Sequence, residues 1–161
     1  MFHRFIPAFL ALVLATQAAA QGTNVSFGGL KADTSLPVEV TAENLSVNQG
    51  DGSAVFSGDV LVKQGEMRLQ AGEIRVEYGA DGKGINRLFA TGGVLIVNAT
   101  DAAEAAEAVY TIASGEVLMS GKVLMTQGAT AIKGDRLTIN LKSGTGRMEG
   151  GVTTTFMPGG N

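Results

Sequence analysis

The sequence predicts an all-β protein built from many short antiparallel strands stacked as repeats. Three observations predict it. Apolar residues alternate with polar ones at a period of two along most of the chain. Glycine-rich turns interrupt that alternation, with 23 Gly against 3 Pro. Two independent motifs also recur at one spacing, as a stacked array requires.

The first motif is apolar-x-Gly-x-Val. It reads Phe56-Ser57-Gly58-Asp59-Val60, Ala90-Thr91-Gly92-Gly93-Val94, Met119-Ser120-Gly121-Lys122-Val123 and Met148-Glu149-Gly150-Gly151-Val152, and its glycines are 34, 29 and 29 residues apart. The second motif begins at Ala42, Ala71, Ala105 and Gly134, at spacings of 29, 34 and 29. Both series describe a 29-residue unit with one five-residue insertion, placed in the turn Gly79–Gly84.

Along the chain, Met1 to Ala20 reads as an export signal. It has a basic start at Arg4, an apolar stretch from Phe5 to Ala15 and the small-residue site Ala18-Ala19-Ala20, which predicts cleavage after Ala20. Residues 21–36 carry no repeat and read as a flexible N-terminal segment. Residues 37–157 form the β domain, bounded by Pro37 and Pro158, and 158–161 are a C-terminal tail. The stretch Asp101 to Val109 is rich in Ala and Glu and resembles a helix in composition. The repeat register makes it a strand instead. Without the signal the chain keeps 11 Lys and Arg against 15 Asp and Glu. That mild acidity argues against nucleic acid. No later apolar run reaches the roughly 18 residues of a membrane helix.

The repeat fixes side-chain directions. With the glycine phase facing inward, the inward set contains Leu45, Val47, Ala54, Phe56, Val60 and Val62. It continues with Met67, Leu69, Ile74, Val76 and Tyr78, then Leu88, Val94, Ile96, Ala108 and Tyr110. It ends with Val117, Met119, Val123, Met125, Ile132, Leu137, Ile139 and Leu141. Lys63, Arg68, Arg75, Arg87, Lys122, Lys133, Lys142 and Arg147 fall outward, as do Asp59, Glu66, Glu73, Glu77, Glu116 and Glu149. The expectation is that no strand charge points inward. A slip of one residue would invert every side chain. Two apolar ladders remain on the outer face, Val55-Phe89-Leu118 and Leu61-Leu95-Leu124. They fit either cross-strand pairing or a docking surface.

Catalytic chemistry has little to work with. There is no Cys, and the single His is His3, inside the signal. Thiol nucleophiles, histidine bases and histidine-ligated metals are therefore excluded from the exported chain, and neither a metal nor a cofactor is expected. Carboxylate pairs such as Glu73 with Glu77, or Asp59 with Glu66, read as solvated strand faces. A glycosidase pair is disfavoured by the absence of Trp. The Gly79–Gly84 segment is a hairpin loop; no helix follows it to hold a phosphate. The inward apolar set is the remaining constellation. It reads as a packed core or as a site for changing apolar ligands, the latter favoured by its methionines.

The residues around these motifs resemble the LptA/OstA family. The resemblance rests on Ala42-Glu43-Asn44-Leu45-Ser46-Val47, on Ala54 to Ala71 with Phe56-Ser57-Gly58-Asp59-Val60 and Gln64-Gly65, and on Leu118 to Gly128 followed by Gly134-Asp135-Arg136-Leu137. It spans about residues 31–155. One departure is Ala106-Glu107, where the family usually shows a Gly-Asp turn.

The resemblance implies a folded-over antiparallel sheet of about sixteen strands, shaped like a taco and not an enzyme. It implies a periplasmic protein of outer-membrane biogenesis in Gram-negative bacteria. Its apolar groove would carry the lipid A acyl chains of lipopolysaccharide. An LptC-like inner-membrane protein would join one edge and an LptD-like outer-membrane protein the other, with head-to-tail self-association between copies. The implied groove comprises Leu45, Val47, Phe56, Val60, Val62, Met67, Leu69, Ile74, Val76, Leu88, Val94, Ile96, Tyr110, Val117, Met119, Val123, Met125, Ile132, Leu137 and Ile139. A self-assembling scaffold with a dry core, a carbohydrate-binding sandwich and an LptC-like paralogue remain as alternatives.

Overall fold

A computed structural model describes residues 23–26 and 28–158. The export signal, its cleavage point and residues 159–161 lie outside the described residues. The strands are β1 (Thr23–Ser26), β2 (Glu39–Thr41), β3 (Asn44–Asn48), β4 (Ser53–Gln64), β5 (Met67–Tyr78), β6 (Ile85–Thr91) and β7 (Val94–Asn98). They continue with β8 (Asp101–Ala105), β9 (Glu107–Thr111), β10 (Glu116–Gln127), β11 (Thr130–Asn140), β12 (Thr145–Glu149) and β13 (Thr153–Phe156). A 3₁₀ turn occupies Gly28–Leu30.

All thirteen strands belong to one antiparallel sheet. Thirteen are present among the described residues where about sixteen were expected, and β4, β5, β10 and β11 each run on through both halves of the fold. The first halves of β4 and β10 pair with β3 and β9, and their second halves with β2 and β8. Strand β5 likewise pairs with β7 near its start and β6 near its end. The sheet is thus two half-sheets sharing a crease.

The crease follows from the repeat glycines. Gly58, Gly92, Gly121 and Gly150 have φ of 82°, 80°, 84° and 82°. This left-handed region is open to glycine and costly for other residues. The next residue is left-handed too: Asp59 at 43°, Gly93 at 83°, Lys122 at 50° and Gly151 at 58°. Two such residues in succession break the ladder, and the β4–β5 and β10–β11 registers shift there, between Ser57 and Val60 and between Ser120 and Val123. Across the crease, the amides of Glu43, Ala106 and Asp135 donate to the carbonyls of Gly58, Gly121 and Gly150.

The half-sheets fold onto each other. Gln64 ends β4 six residues beyond Gly58, roughly 20 Å along an extended strand. Tyr110 stands near the end of β9, on the other half-sheet. Their side chains nevertheless meet, with the Tyr110 hydroxyl donating to Gln64 Oε1 at 2.7 Å. Only a closed fold brings these tips together. The helix-like composition of Asp101 to Val109 is overridden as expected: the segment forms β8 and most of β9, broken at Ala106.

Of the N-terminal segment read from the sequence as flexible, the described residues 23–26 and 28–36 pack onto the sheet. Strand β1 pairs with β12 at one end of the sheet. The chain then crosses to β2, which pairs with β4 at the other end, making hydrogen bonds with both rows of tips on the way.

Candidate functional site: the interior of the folded sheet

Period-two alternation sends one face of strands β4 to β12 between the half-sheets. Val60, Val62, Met67, Leu69, Ile74 and Val76 are 0–1% exposed. Leu88, Val94, Ile96, Tyr110, Val117 and Met119 are buried too, as are Val123, Met125, Ile132, Leu137 and Ile139, none above 3% exposed. The registers place them on one face: Phe56 opposite Ile74, Leu88 opposite Tyr110, Met119 opposite Leu137.

Three of the expected residues sit differently. Leu45 and Val47 share the inward phase of Phe56 and Ala54 but are 57% and 63% exposed. They lie on β3, the last strand at that end, where nothing described covers them. Phe56 beside them is partly buried. The interior is therefore packed along most of its length and open at the β2–β3 end. Tyr78, also assigned inward, is 41% exposed, because the register shifts between Glu77 and Tyr78.

The expectation that no strand charge points inward fails at Asp101. This residue opens β8, shares the inward phase of Ala103 and Ala105, and is 1% exposed. Its carboxylate accepts hydrogen bonds from Gln127 Nε2 and Thr100 Oγ1, both at 3.2 Å. Burial of a carboxylate is tolerable when donors surround it.

Asp101 belongs to a polar rim that the sequence reading missed. Gln64 and Asn98 are 1% and 4% exposed. Gln64 accepts from Tyr110, and its Nε2 donates to the carbonyls of Thr34 at 3.1 Å and Leu36 at 2.9 Å. Asn98 Nδ2 donates to the Lys31 carbonyl at 2.7 Å. Burial pushes the Tyr110 phenol up to about 12, against the opposing pull of its bond to Gln64. The rim had a signal in the repeat. Gln64, Asn98 and Gln127 each stand six residues beyond a crease glycine, an inward position that would otherwise be apolar.

The outer face is mixed. Phe89 lies under Arg75, whose guanidinium is 4.2 Å from the ring centroid, with Arg87 at 5.3 Å. Arg87 also pairs with Glu77 at 2.8 Å and holds its carboxyl below the usual range. Leu61, Leu95 and Leu124 are half-buried among Gln70 and Glu104 in the same transverse row. The arrangement offers an apolar interior for an apolar guest, a polar rim at the tips and a charged exterior.

Comparison with known proteins places the fold. The family model described as LptA/(LptD N-terminal domain) LPS transport protein matches residues 39–145. An uncharacterized protein of Rhizobium meliloti (strain 1021) is 24% identical over 147 residues, covering 86% of this chain and 79% of the relative. The LPS-assembly protein LptD of Actinobacillus pleuropneumoniae serotype 5b (strain L20) is 42% identical over 48 residues, 30% of this chain and 6% of that protein. Among solved structures, LptH of Pseudomonas aeruginosa, the LptA homologous periplasmic component of the conserved lipopolysaccharide transport device, superposes with a TM-score of 0.70 at 15% identity. That match covers 79% of this chain and 99% of LptH. A family match over most of the β domain and a shared fold lead to one conclusion: the chain belongs to the LptA/LptD N-terminal-domain family of lipopolysaccharide transport proteins.

Proposed function

We propose that this protein binds lipopolysaccharide in the periplasm, holds its acyl chains between the two half-sheets, and forms part of a bridge delivering it from the inner to the outer membrane. The observation that carries this reading is the interior itself. It is apolar from the β2–β3 end to β12, and the one buried charge among the described residues, Asp101, stands at the rim among donors. Each CH₂ exposed to water costs about 0.8 kcal/mol, so an acyl chain crosses an aqueous compartment only under cover. A track without interior charge would let it move without a trap.

The ends of the sheet suit assembly. Strands β2 and β3 pair with β4 alone, and β13 pairs with β11 alone. Unpaired edges accept strands from another chain. We assign one end to an LptC-like partner and the other to an LptD-like partner, with further copies of this chain joining head to tail. Heterologous edges of this kind extend into open filaments. Truncation after Gly150, which removes β13, should therefore reduce concentration-dependent growth in light scattering.

A dry-core scaffold is the second reading, favoured by how completely the interior is packed. Solvent extraction of protein purified from its native periplasm separates the two. Lipid A acyl chains in the extract support transport; extracts free of lipid support the scaffold.

A further inference from the structure

The segment between β1 and β2 has a geometry that its length alone does not require. It starts at the β12 edge and ends at the β4 edge, so it travels the whole length of the fold. Its path follows the line where the tips of the two half-sheets face each other. The Ala32 amide donates to the Leu141 carbonyl at 2.8 Å, on the tips of one half-sheet. The Lys31, Thr34 and Leu36 carbonyls accept from Asn98 and Gln64, on the tips of the other. Leu30 is fully buried and joins the core cluster, and Ala32 packs against it. Gly29 passes so close to Asp101 that a Cβ there would lie 2.5 Å from the carboxylate carbon.

These contacts differ in kind from those of the strands. They are isolated hydrogen bonds, one between backbones at Ala32 and the rest from side chains to strap carbonyls, plus one inserted leucine, with no ladder between them. Such a segment can open without unfolding the sheet. It also covers the long side of the fold, through which an acyl chain would reach Met67, Leu69 or Met125 without threading from one end.

We propose that residues 28–36 are a displaceable strap that seals the mouth of the folded sheet, and that its lifting admits the acyl chain. This gating role rests on the lipid-binding reading above. The buried polar rim fits it. Gln64 and Asn98 are inward-phase groups whose amide nitrogens donate to strap carbonyls, so the strap is held by bonds that water replaces when it lifts.

The test uses the full exported chain and two readouts. Hydrogen exchange compares the Ala32 amide with the Leu69 amide. Stopped-flow fluorescence follows uptake of an environment-sensitive fluorescent long-chain fatty acid. Gly29→Val forces the strap away from Asp101; Ala80→Val, in the exposed Gly79–Gly84 hairpin, is the control. In the unaltered protein Ala32 should exchange at least tenfold faster than Leu69. Gly29→Val should accelerate both Ala32 exchange and probe uptake at least fivefold, with Leu69 exchange unchanged, and Ala80→Val should accelerate neither. Ala32 exchanging only at the Leu69 rate would overturn the strap. So would a Gly29→Val protein whose freed strap leaves uptake unchanged. Absence of uptake in every variant, with the strap opening freely, would overturn lipid binding itself and the gating role with it.

Discussion

The crease and the mouth close the same sheet by opposite means. The crease is repetitive and made of backbone: four glycines at nearly one φ, each followed by a second left-handed residue. The mouth is unique and held mainly by side chains: Tyr110 to Gln64, Gln64 to Thr34 and Leu36, Asn98 to Lys31, with one backbone bond from Ala32 to Leu141. A fold closed this way has a repeated backbone spine on one side and isolated bonds on the other. That division is what the proposed container would require.

Substitutions in the two regions should therefore differ in size and character. The largest effect is expected at the crease. Gly121→Val places a β-branched residue at φ 84°, with a Cβ 2.6 Å from that of Ala106. Strain and overpacking together should cost about 3 kcal/mol, read as a lower urea midpoint. A stability within experimental error of the original would mean that the crease tolerates side chains and is not the spine.

The mouth should respond less, and in a pH-dependent way. Tyr110→Phe leaves Gln64 Oε1 without its donor and should cost about 1–3 kcal/mol. The folded-state phenol titrates at about 12, above the ordinary value near 10. The neutral phenol is thus favoured by folding, and its contribution is fully present below pH 10 and lost as pH rises to about 12. The stability gap between the two proteins should narrow over that window. A gap constant from pH 8 to 12 would contradict the burial of this hydroxyl.

The smallest effect returns to the crease with the opposite sign. Lys122 adopts φ 50° where two of its repeat equivalents are glycine. Lys122→Gly should relieve strain and stabilise by up to about 1 kcal/mol. A loss of stability at this position would show that its side chain supports the bend.

The same contrast explains what the sequence could reveal. The crease and the inward face were legible because they repeat. Gly58, Gly92, Gly121 and Gly150 mark the bend four times, and period-two alternation assigns Met119 or Ile139 to the interior without any contact being known. Even the helix-like Asp101 to Val109 yields to that register. The strap was illegible because it occurs once. Gly29, Leu30 and Ala32 carry no periodicity, and their partners Asn98, Asp101 and Leu141 lie far along the chain. The exposure of Leu45 and Val47 was hidden for a related reason: alternation gives a face, and only the end of the sheet shows that the face is uncovered. Gln64, Asn98 and Gln127 fall between these cases, since their shared repeat position signals a polar ring and leaves its partners open.

The most direct test of the central claim compares the two faces of single strands in cells. Photo-crosslinking side chains at Leu69, Met119 and Ile132, which the registers turn into the interior, should capture lipopolysaccharide. The same probe at Arg75, Lys122 and Asp59, on the outer surface or at the crease, should not. Capture confined to the inward positions is the predicted result. Equal capture from both faces, or none from any inward position of a folded protein, would contradict the account.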